Sequence, residues 1–323
     1  MKEWFNEKIT DARVLDLSME VYRKKLKSFI GYQILFGIIV AILVFVGALI
    51  LIPMLSFFDL GGTFGFICFF TVMFIGIVTF ICMSKAGAFH IAYGYVNGEN
   101  VGASDALGKA FSSFVPSIRV TTALAVCILP IVVIMAIMGV TTTSITVFAN
   151  KLQSLTFFGI MMNILLYSFI GVIIGSYLFY SLHIVIFDKG KGFESIKKSI
   201  QFAKGEVLKN AFRVMSILMF EWGIKVAIYS GITAICTLVY FLLGKIDGGA
   251  SLVSQLIVYG AIARPIVNFI LGIFLTPVAP IMWTLYYVNM KYKKEGFKIY
   301  NMLDKLSQQN ATVNMEPINL SKE

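Results

Sequence analysis

The sequence predicts an all-α membrane protein: a polytopic transmembrane helical bundle with about six spans, arranged as three tandem hairpins, and with amphipathic helices at the cytoplasmic interface. Hydrophobic residues make up 58% of the 323 residues and charged residues only 14%. A soluble domain carries about 25% charged residues, so much of this chain must face lipid. The apolar residues also fall into stretches of the ~20 residues that a helix needs to cross a bilayer.

The chain begins with a predicted amphipathic helix over residues 1–28, in which apolar residues recur at three- and four-residue steps among basic ones. Its apolar face could lie in the membrane interface or pack on other helices of the protein. A membrane domain over residues 29–306 follows, and residues 307–323 are predicted to be a disordered cytoplasmic tail. Within the domain, residues 252–263 are apolar but short, and they predict a surface or re-entrant helix. The six spans are predicted at residues 29–52, 62–83, 120–139, 155–178, 214–243 and 266–288.

The polar interval at residues 183–213 is basic and about thirty residues long, and it lies between two predicted spans. In its second half, apolar residues recur at helical spacing and lysines occupy the other face, which predicts one amphipathic helix. The apolar positions of this helix are Ile196, Ile200, Ala203, Val207 and Ala211. Similar units precede spans 1 and 3, and this regularity is the basis for predicting three repeated hairpins.

Basic residues indicate the orientation. The intervals that we place inside hold 23 Lys and Arg residues, whereas the outside intervals hold only Lys151, Lys245 and Arg264. The positive-inside rule therefore predicts a multi-pass protein of the cell membrane with both termini in the cytoplasm. The net charge of +10 does not indicate nucleic-acid binding, because the charges lie between apolar spans.

Two stretches carry a resemblance to a known group. Residues 187–199 (FDKGKGFESIKKS) lead into an amphipathic helix, and residues 277–287 (PVAPIMWTLYY) lie in the last span before a basic exit. Both resemble bacterial six-span integral membrane proteins that include the membrane domain of some glycerophosphoryl diester phosphodiesterases and related uncharacterised proteins. The resemblance implies the six-span architecture. It implies no catalytic residue, because those phosphodiesterases carry their chemistry in a separate soluble domain for which this chain has no room.

The sequence has no phosphate-binding loop, nucleophile elbow or HExxH metal motif, and we predict that the protein is not an enzyme and needs no cofactor. The two histidines, His90 and His183, allow a metal site with Asp188 or Glu99, or simply polar tips at the membrane interface. We favour the second interpretation. Five lysines are predicted to touch anionic lipid: Lys24, Lys25, Lys197, Lys198 and Lys204.

Glu221 and Lys225 are four residues apart in a predicted span, and Asn268 is a further polar group in span 6. Ionisable residues inside a span are costly and often functional, so these three residues form a candidate intramembrane polar site. The alternative is a structural ion pair at the interface. The leading hypothesis is a non-enzymatic accessory or scaffold protein that binds anionic membrane lipid and a partner membrane protein. The second is a transporter or permease subunit for a hydrophobic or lipid-like solute, which could work with an ATPase.

Overall fold

The computed structural model describes residues 11–55, 58–148, 153–243, 267–296 and 303. Every regular element in these ranges is a helix, which confirms the predicted all-α class. In chain order the helices are α1 (Asp11–Leu55), α2 (Phe58–Asn97), α3 (Ala103–Ser112), α4 (Phe114–Phe148), α5 (Gln153–Leu178), α6 (Ser181–Phe187), α7 (Gly192–Ala203), α8 (Val207–Leu243), α9 (residues 267–275) and α10 (Val278–Lys294). The predicted surface or re-entrant helix at 252–263 and the predicted tail at 307–323 lie outside the described residues.

Six helical stretches within the described ranges are long and apolar enough to cross a membrane, which is compatible with a multi-pass integral membrane protein. The order of the helices follows the three-hairpin pattern. A helix with one buried face precedes α4 and another precedes α8, and these are α3 and α7. The third hairpin returns through α9 and α10, which are separated by a turn at Thr276 and Pro277. Proline has no backbone N–H to continue the hydrogen bonds of the preceding helix.

Residues 1–10 of the predicted amphipathic helix lie outside the described residues. From Asp11 onward this helix and the first span form one helix, α1, with a kink at Lys25 (φ −115°, ψ 16°). Before the kink, Val14, Leu17 and Val21 are buried against the rest of the protein. Of the two positions that the sequence allowed for this apolar face, the structure therefore shows packing on the protein's own helices.

The amphipathic helix predicted to run through to Arg213 is interrupted. Helix α7 ends at Ala203, and α8 begins at Val207. Gly205 lies between them with φ +83°, in the left-handed region that glycine reaches without a steric penalty. Within α7 the buried residues include Ser195 and Ser199 as well as apolar side chains. The apolar residues keep their helical spacing in the sequence across Lys204 and Gly205, but the helix itself ends there. The prediction of one continuous helix was therefore wrong.

Buried side chains concentrate in one region, which we call the packed layer. It consists of the first part of α1, the second half of α2, α3, the start of α4, the end of α5, α6, α7, the start of α8, and α10. Helix α10 is central, because it contacts α1, α2, α7 and α8. The last buried residues toward the long apolar parts of the helices are Phe36, Thr79, Ala123, Ser176 and Pro277.

Beyond the packed layer the helices continue as apolar stretches, in which most of the large side chains that the structure describes are exposed. The stretches are residues 37–55, 58–78, 124–148, 153–175 and 221–243. Each has roughly 19 to 25 residues, which at about 1.5 Å per residue is close to the ~30 Å of a bilayer's hydrocarbon core. In these five helices the apolar stretches alone suffice to cross a membrane, whereas the sixth candidate span, Val267–Lys294, consists of α9 and the packed-layer helix α10.

Candidate functional site

The polar interval between α5 and α8 supplies a charged cluster centred on Asp188, the residue that follows α6. Its Oδ1 accepts hydrogen bonds from Tyr287 (3.1 Å) and Lys291 (2.5 Å) of α10, and its Oδ2 accepts one from Lys198 (2.8 Å) of α7. Lys198 also pairs with Glu295 at 2.6 Å. One carboxylate thus joins the loop after α6 to two helices, α7 and α10.

A second polar cluster lies at the start of α8, around the buried guanidinium of Arg213. Its Nη1 donates to Asn210 Oδ1 (2.8 Å) and to the Tyr180 hydroxyl (3.2 Å), and it lies 3.6 Å from Glu206 Oε2. The guanidinium also lies 5.2 Å from the centre of the Tyr286 ring, in cation–π contact. Glu206, Asn210 and Arg213 follow four- and three-residue steps, which place them on one face of the chain as it enters α8.

Neighbouring cations control the ionisation of both carboxylates. Burial acts to raise the pKa of Asp188, but the hydrogen bonds and charges of Lys198 and Lys291 outweigh burial and hold the pKa below its ordinary value. Burial likewise acts to raise the pKa of Glu206, which Lys293 and then Arg213 hold below its ordinary value. Both groups are therefore anionic at neutral pH, as their ion pairs require.

Acid should therefore destabilise the packed layer. Near pH 4 the carboxyls of Asp188 and Glu206 take up protons in the unfolded chain, while in the folded protein they are still ionised. The unfolded state therefore binds more protons, and acid stabilises it relative to the folded state. We expect the melting temperature of the detergent-solubilised protein to be level from about pH 6 to 8. It should fall as the pH drops from the ordinary carboxyl range through the lowered pKa values of the folded state. Far-ultraviolet circular dichroism would measure this melting temperature.

The control is the double variant Asp188→Asn, Glu206→Gln. Its melting temperature at neutral pH should be lower than that of the wild type and should decline less steeply with acid. An equally steep decline in both proteins would contradict the assignment.

The two histidines lie in the packed layer among aromatic rings. His183 is fully buried, with its ring centre 4.1 Å from that of Phe89 and its Nε2 3.3 Å from the Thr284 hydroxyl. His90 contacts the edge of the Phe187 ring, with centres 5.1 Å apart. In the part of the chain that the structure describes, no group of three or more His, Cys, Asp or Glu side chains is placed to hold a metal ion. The metal interpretation of these histidines gains no support from their surroundings.

The candidate intramembrane residues lie on α8 and α9, just beyond the packed layer. Glu221 and Lys225 form an ion pair of 2.8 Å, and their side chains are 33% and 39% exposed. One turn further along α8, the Tyr229 hydroxyl donates to the side-chain oxygen of Asn268 on α9. Of the three residues predicted from the sequence, Glu221 and Lys225 therefore pair with each other on α8, and Asn268 on α9 forms a separate hydrogen bond with Tyr229.

Of the five lysines predicted to touch lipid, two have partners across the packed layer. Lys198 belongs to the Asp188 cluster, where it pairs with two carboxylates and is only 32% exposed. Lys25 donates to the side-chain oxygen of Asn100 in the loop between α2 and α3. These contacts position helices within the protein, and the lipid contact predicted for the two lysines stays a prediction.

The other three lysines are on the surface. Lys24 pairs with Glu20 at 2.5 Å and remains 57% exposed. Lys197 and Lys204 are exposed on the outer face of α7. They alternate along that face with Phe193 and Ile200, whose side chains are 61% and 42% exposed. The structure thus adds exposed aromatic and aliphatic residues beside the predicted lysines.

The Arg213 cluster was not predicted. In the sequence, Arg213 is one of seven positive charges in the basic interval, although Glu206, Asn210 and Arg213 recur at helical spacing. That spacing was the available signal. Its meaning depended on Tyr180, which is 33 residues away from Arg213 in the chain and is brought to it only by the fold.

Comparisons with known proteins identify no relative: no protein-family model, no curated protein and no solved structure matches the chain. The resemblance to the six-span group that includes the glycerophosphoryl diester phosphodiesterase membrane domain therefore stays a prediction. A function for this chain has to be argued from its own residues.

Proposed function

We propose that the protein is a non-enzymatic accessory or scaffold protein of the bacterial cytoplasmic membrane, whose packed layer rests on an anionic lipid surface and presents a face to a partner membrane protein. The six apolar helices, and the length of the exposed stretch in five of them, support a membrane position. Because those stretches alone match the hydrocarbon thickness, we place the packed layer in the headgroup region and the adjoining cytoplasm.

One surface of the packed layer carries the lipid part of this proposal. We call it the basic rim, and its residues are Phe193, Lys197, Ile200, Lys204, Leu208, Lys209 and Phe212. All seven are exposed, and Leu208 and Phe212 reach 73% and 65%. Exposed Phe and Leu beside exposed lysines are typical of an interfacial surface, where rings enter the headgroup boundary and ammonium groups meet lipid phosphates.

The positions of the start of α1 and the end of α10 support the orientation. The start of α1 and the end of α10 both lie in the packed layer, where Val14 and Met290 are buried. The basic intervals that favour the cytoplasm by 23 residues to 3 also adjoin this layer. We therefore place both described ends on the cytoplasmic side.

The experiment compares the lipids held by the wild type and by a rim variant. Full-length protein is reconstituted in nanodiscs of phosphatidylglycerol and phosphatidylcholine, and native mass spectrometry counts the lipids retained. We expect the wild type to enrich phosphatidylglycerol and the variant Lys197→Gln, Lys204→Gln, Lys209→Gln to lose this enrichment, since each lysine near an anionic surface contributes about 1 kcal/mol.

A matched control changes charge on the side that the sequence predicts to be outside. Lys151→Gln, Lys245→Gln, Arg264→Gln removes the same number of positive charges and should keep the enrichment. An equal loss in both variants would attribute the effect to net charge, and no loss in the rim variant would refute the lipid role.

A transporter or permease subunit is the second candidate function. The Glu221–Lys225 pair and the Tyr229–Asn268 hydrogen bond favour it, because they give polar groups along the α8–α9 side of the apolar stretches. A pull-down in mild detergent separates the two functions. A stoichiometric ATPase that copurifies would favour transport, whereas lipid with a non-ATPase membrane protein would favour the scaffold.

A further inference from the structure

Lys85 of α2 differs from the other half-buried lysines of the protein. In the ranges that the structure describes, six lysines are half-buried. Five of them have an oxygen partner within the chain, and these are Lys25, Lys109, Lys198, Lys225 and Lys291. Among the same described residues, the Lys85 ammonium forms no ion pair and no hydrogen bond. Lys85 therefore keeps three N–H donors for a group outside the chain.

An aromatic ring fixes one side of this ammonium. The Nζ of Lys85 lies 5.7 Å from the centre of the Trp283 ring on α10, in cation–π contact. The ring itself is held in place, because its indole N–H donates to the Phe179 carbonyl and the Phe89 ring meets it edge to face at 5.6 Å between centres. The ring face attracts the positive charge but offers no oxygen atom to the N–H donors.

The position of Lys85 along α2 puts its ammonium near the end of the packed layer. Lys85 is six residues, or about 9 Å, from Thr79, where the buried part of α2 ends. Helical side chains lean toward the N-terminus of their helix, and the N-terminal part of α2 is its apolar stretch. The long lysine stem carries the charge further in the same direction. With the packed layer in the headgroup region, the ammonium lies at the level of the lipid phosphates.

The surroundings of Lys85 favour a lipid phosphate over a soluble anion. Ile81, Ile77 and Phe74 precede Lys85 on the same face of α2, at steps of four, four and three residues, and they are 52%, 54% and 63% exposed. An acyl chain can follow this apolar face while its phosphate meets Lys85. Because no carboxylate among the described residues pairs with Lys85, a zwitterionic headgroup would find no partner there for its own ammonium. A lipid with a net negative charge fits better.

We propose that Lys85 and Trp283 form a discrete binding site for one anionic phospholipid, in which the Lys85 ammonium binds the phosphate and Trp283 positions the ammonium. The proposal rests on the membrane position given under the proposed function. It is independent of the basic rim, because it uses residues of α2 and α10 and none of the rim residues.

The test uses Trp283 as a reporter at the site. The chain has three tryptophans, so the full-length variant Trp4→Phe, Trp222→Phe keeps only Trp283. This protein is reconstituted with phosphatidylglycerol or phosphatidylcholine that carries bromine near the glycerol end of its acyl chains, and quenching of the Trp283 fluorescence measures lipid at the site. We expect a preference of about fivefold for phosphatidylglycerol, the effect of one lysine near an anionic group. Lys85→Gln should abolish this preference and Lys85→Arg should keep it.

A second pair of variants leaves Lys85 in place and decides the case if Lys85→Gln does not fold. Ile81→Glu puts a carboxylate one turn before Lys85, in the favourable order for a helical ion pair. This internal partner should occupy the ammonium and abolish the preference. Ile81→Gln is the matched control, because it changes polarity in the same way without a charge, and it should keep the preference.

Equal quenching by the two lipids in the reporter protein would overturn the proposal, and so would a preference that survives in Lys85→Gln or in Ile81→Glu. Lys85 would then be an ordinary lysine solvated by water. The variant Lys197→Gln, Lys204→Gln, Lys209→Gln, made in the reporter background, separates this site from the proposed function. It should lose the phosphatidylglycerol enrichment in nanodiscs and keep the preference at Trp283. Loss of the preference at Trp283 in this variant would assign it to general surface charge and also overturn the proposal.

Discussion

Replacement of Arg213 by methionine is expected to lower the free energy of unfolding by about 3 kcal/mol, the lower end of the range for a broken buried ion pair, because the buried Glu206 loses one cation but keeps Lys293. Arg213 and Glu206 are 9% and 8% exposed, so water replaces little of the lost interaction. The variant also removes the Nη1 group that donates hydrogen bonds to Asn210 Oδ1 and to the Tyr180 hydroxyl. These hydrogen bonds connect the turn after α5 with α8.

Unfolding in mixed micelles of a mild detergent and sodium dodecyl sulfate would measure this change. Lys209→Met is the matched control, because it removes an exposed positive charge from the same turn of the chain. We expect the control to stay within about 0.5 kcal/mol of the wild type. Arg213→Lys should fall between the two, since an ammonium keeps the charge but lacks the planar fork. A loss below ~1 kcal/mol for Arg213→Met would show that the cluster is hydrated and structurally minor.

The all-α class and the approximate positions of the helices could be predicted because they depend on local properties. Mean hydropathy over about 20 residues determines whether a segment can cross a bilayer, and this property needs no knowledge of the segment's neighbours. The packed layer could not be predicted in the same way. Its contacts join distant residues, as when the Tyr287 hydroxyl donates to the carboxylate of Asp188.

The lysine predictions show where the sequence is ambiguous. Lys197 and Lys198 are adjacent and chemically identical, yet the first lies on the exposed face of α7 and the second pairs with Asp188 and Glu295. On a helix, consecutive residues point about 100° apart, so the face that packs decides each role. Helical spacing predicted that α7 has two faces, but the position of the packed face depended on α4, α6 and α10.

The role of a glycine was also ambiguous in the sequence. Gly192 begins α7, and a Cβ atom added there would lie 2.3 Å from the backbone oxygen of Arg119 on α4. In the sequence, the Gly190-Lys191-Gly192 run indicates only a turn before a helix. The structure shows that the second glycine allows two helices to approach closely, and this requirement cannot be seen without α4 in place.

Replacement of Asp188 by alanine is the second large effect that we expect, with a loss of about 3 kcal/mol in the free energy of unfolding. Its carboxylate is the common acceptor for Tyr287, Lys291 and Lys198, and the side chains of Asp188 and Lys291 are only 15% and 16% exposed. The value is at the lower end of the range for broken buried pairs because Glu295 still pairs with Lys198.

A double-mutant cycle distinguishes the loss of this ion pair from general damage to the loop. Lys291→Met combined with Asp188→Ala should cost less than the sum of the two single variants, because the second change removes the charge that the first leaves unpaired. Lys197→Ala serves as the control for an exposed lysine on the same helix and should be within about 0.5 kcal/mol of the wild type. Strictly additive losses would mean that Asp188 and Lys291 act independently. The junction of α6, α7 and α10 would then depend on its aromatic packing, in which the Phe187 and Tyr287 rings stack with their centres 6.0 Å apart.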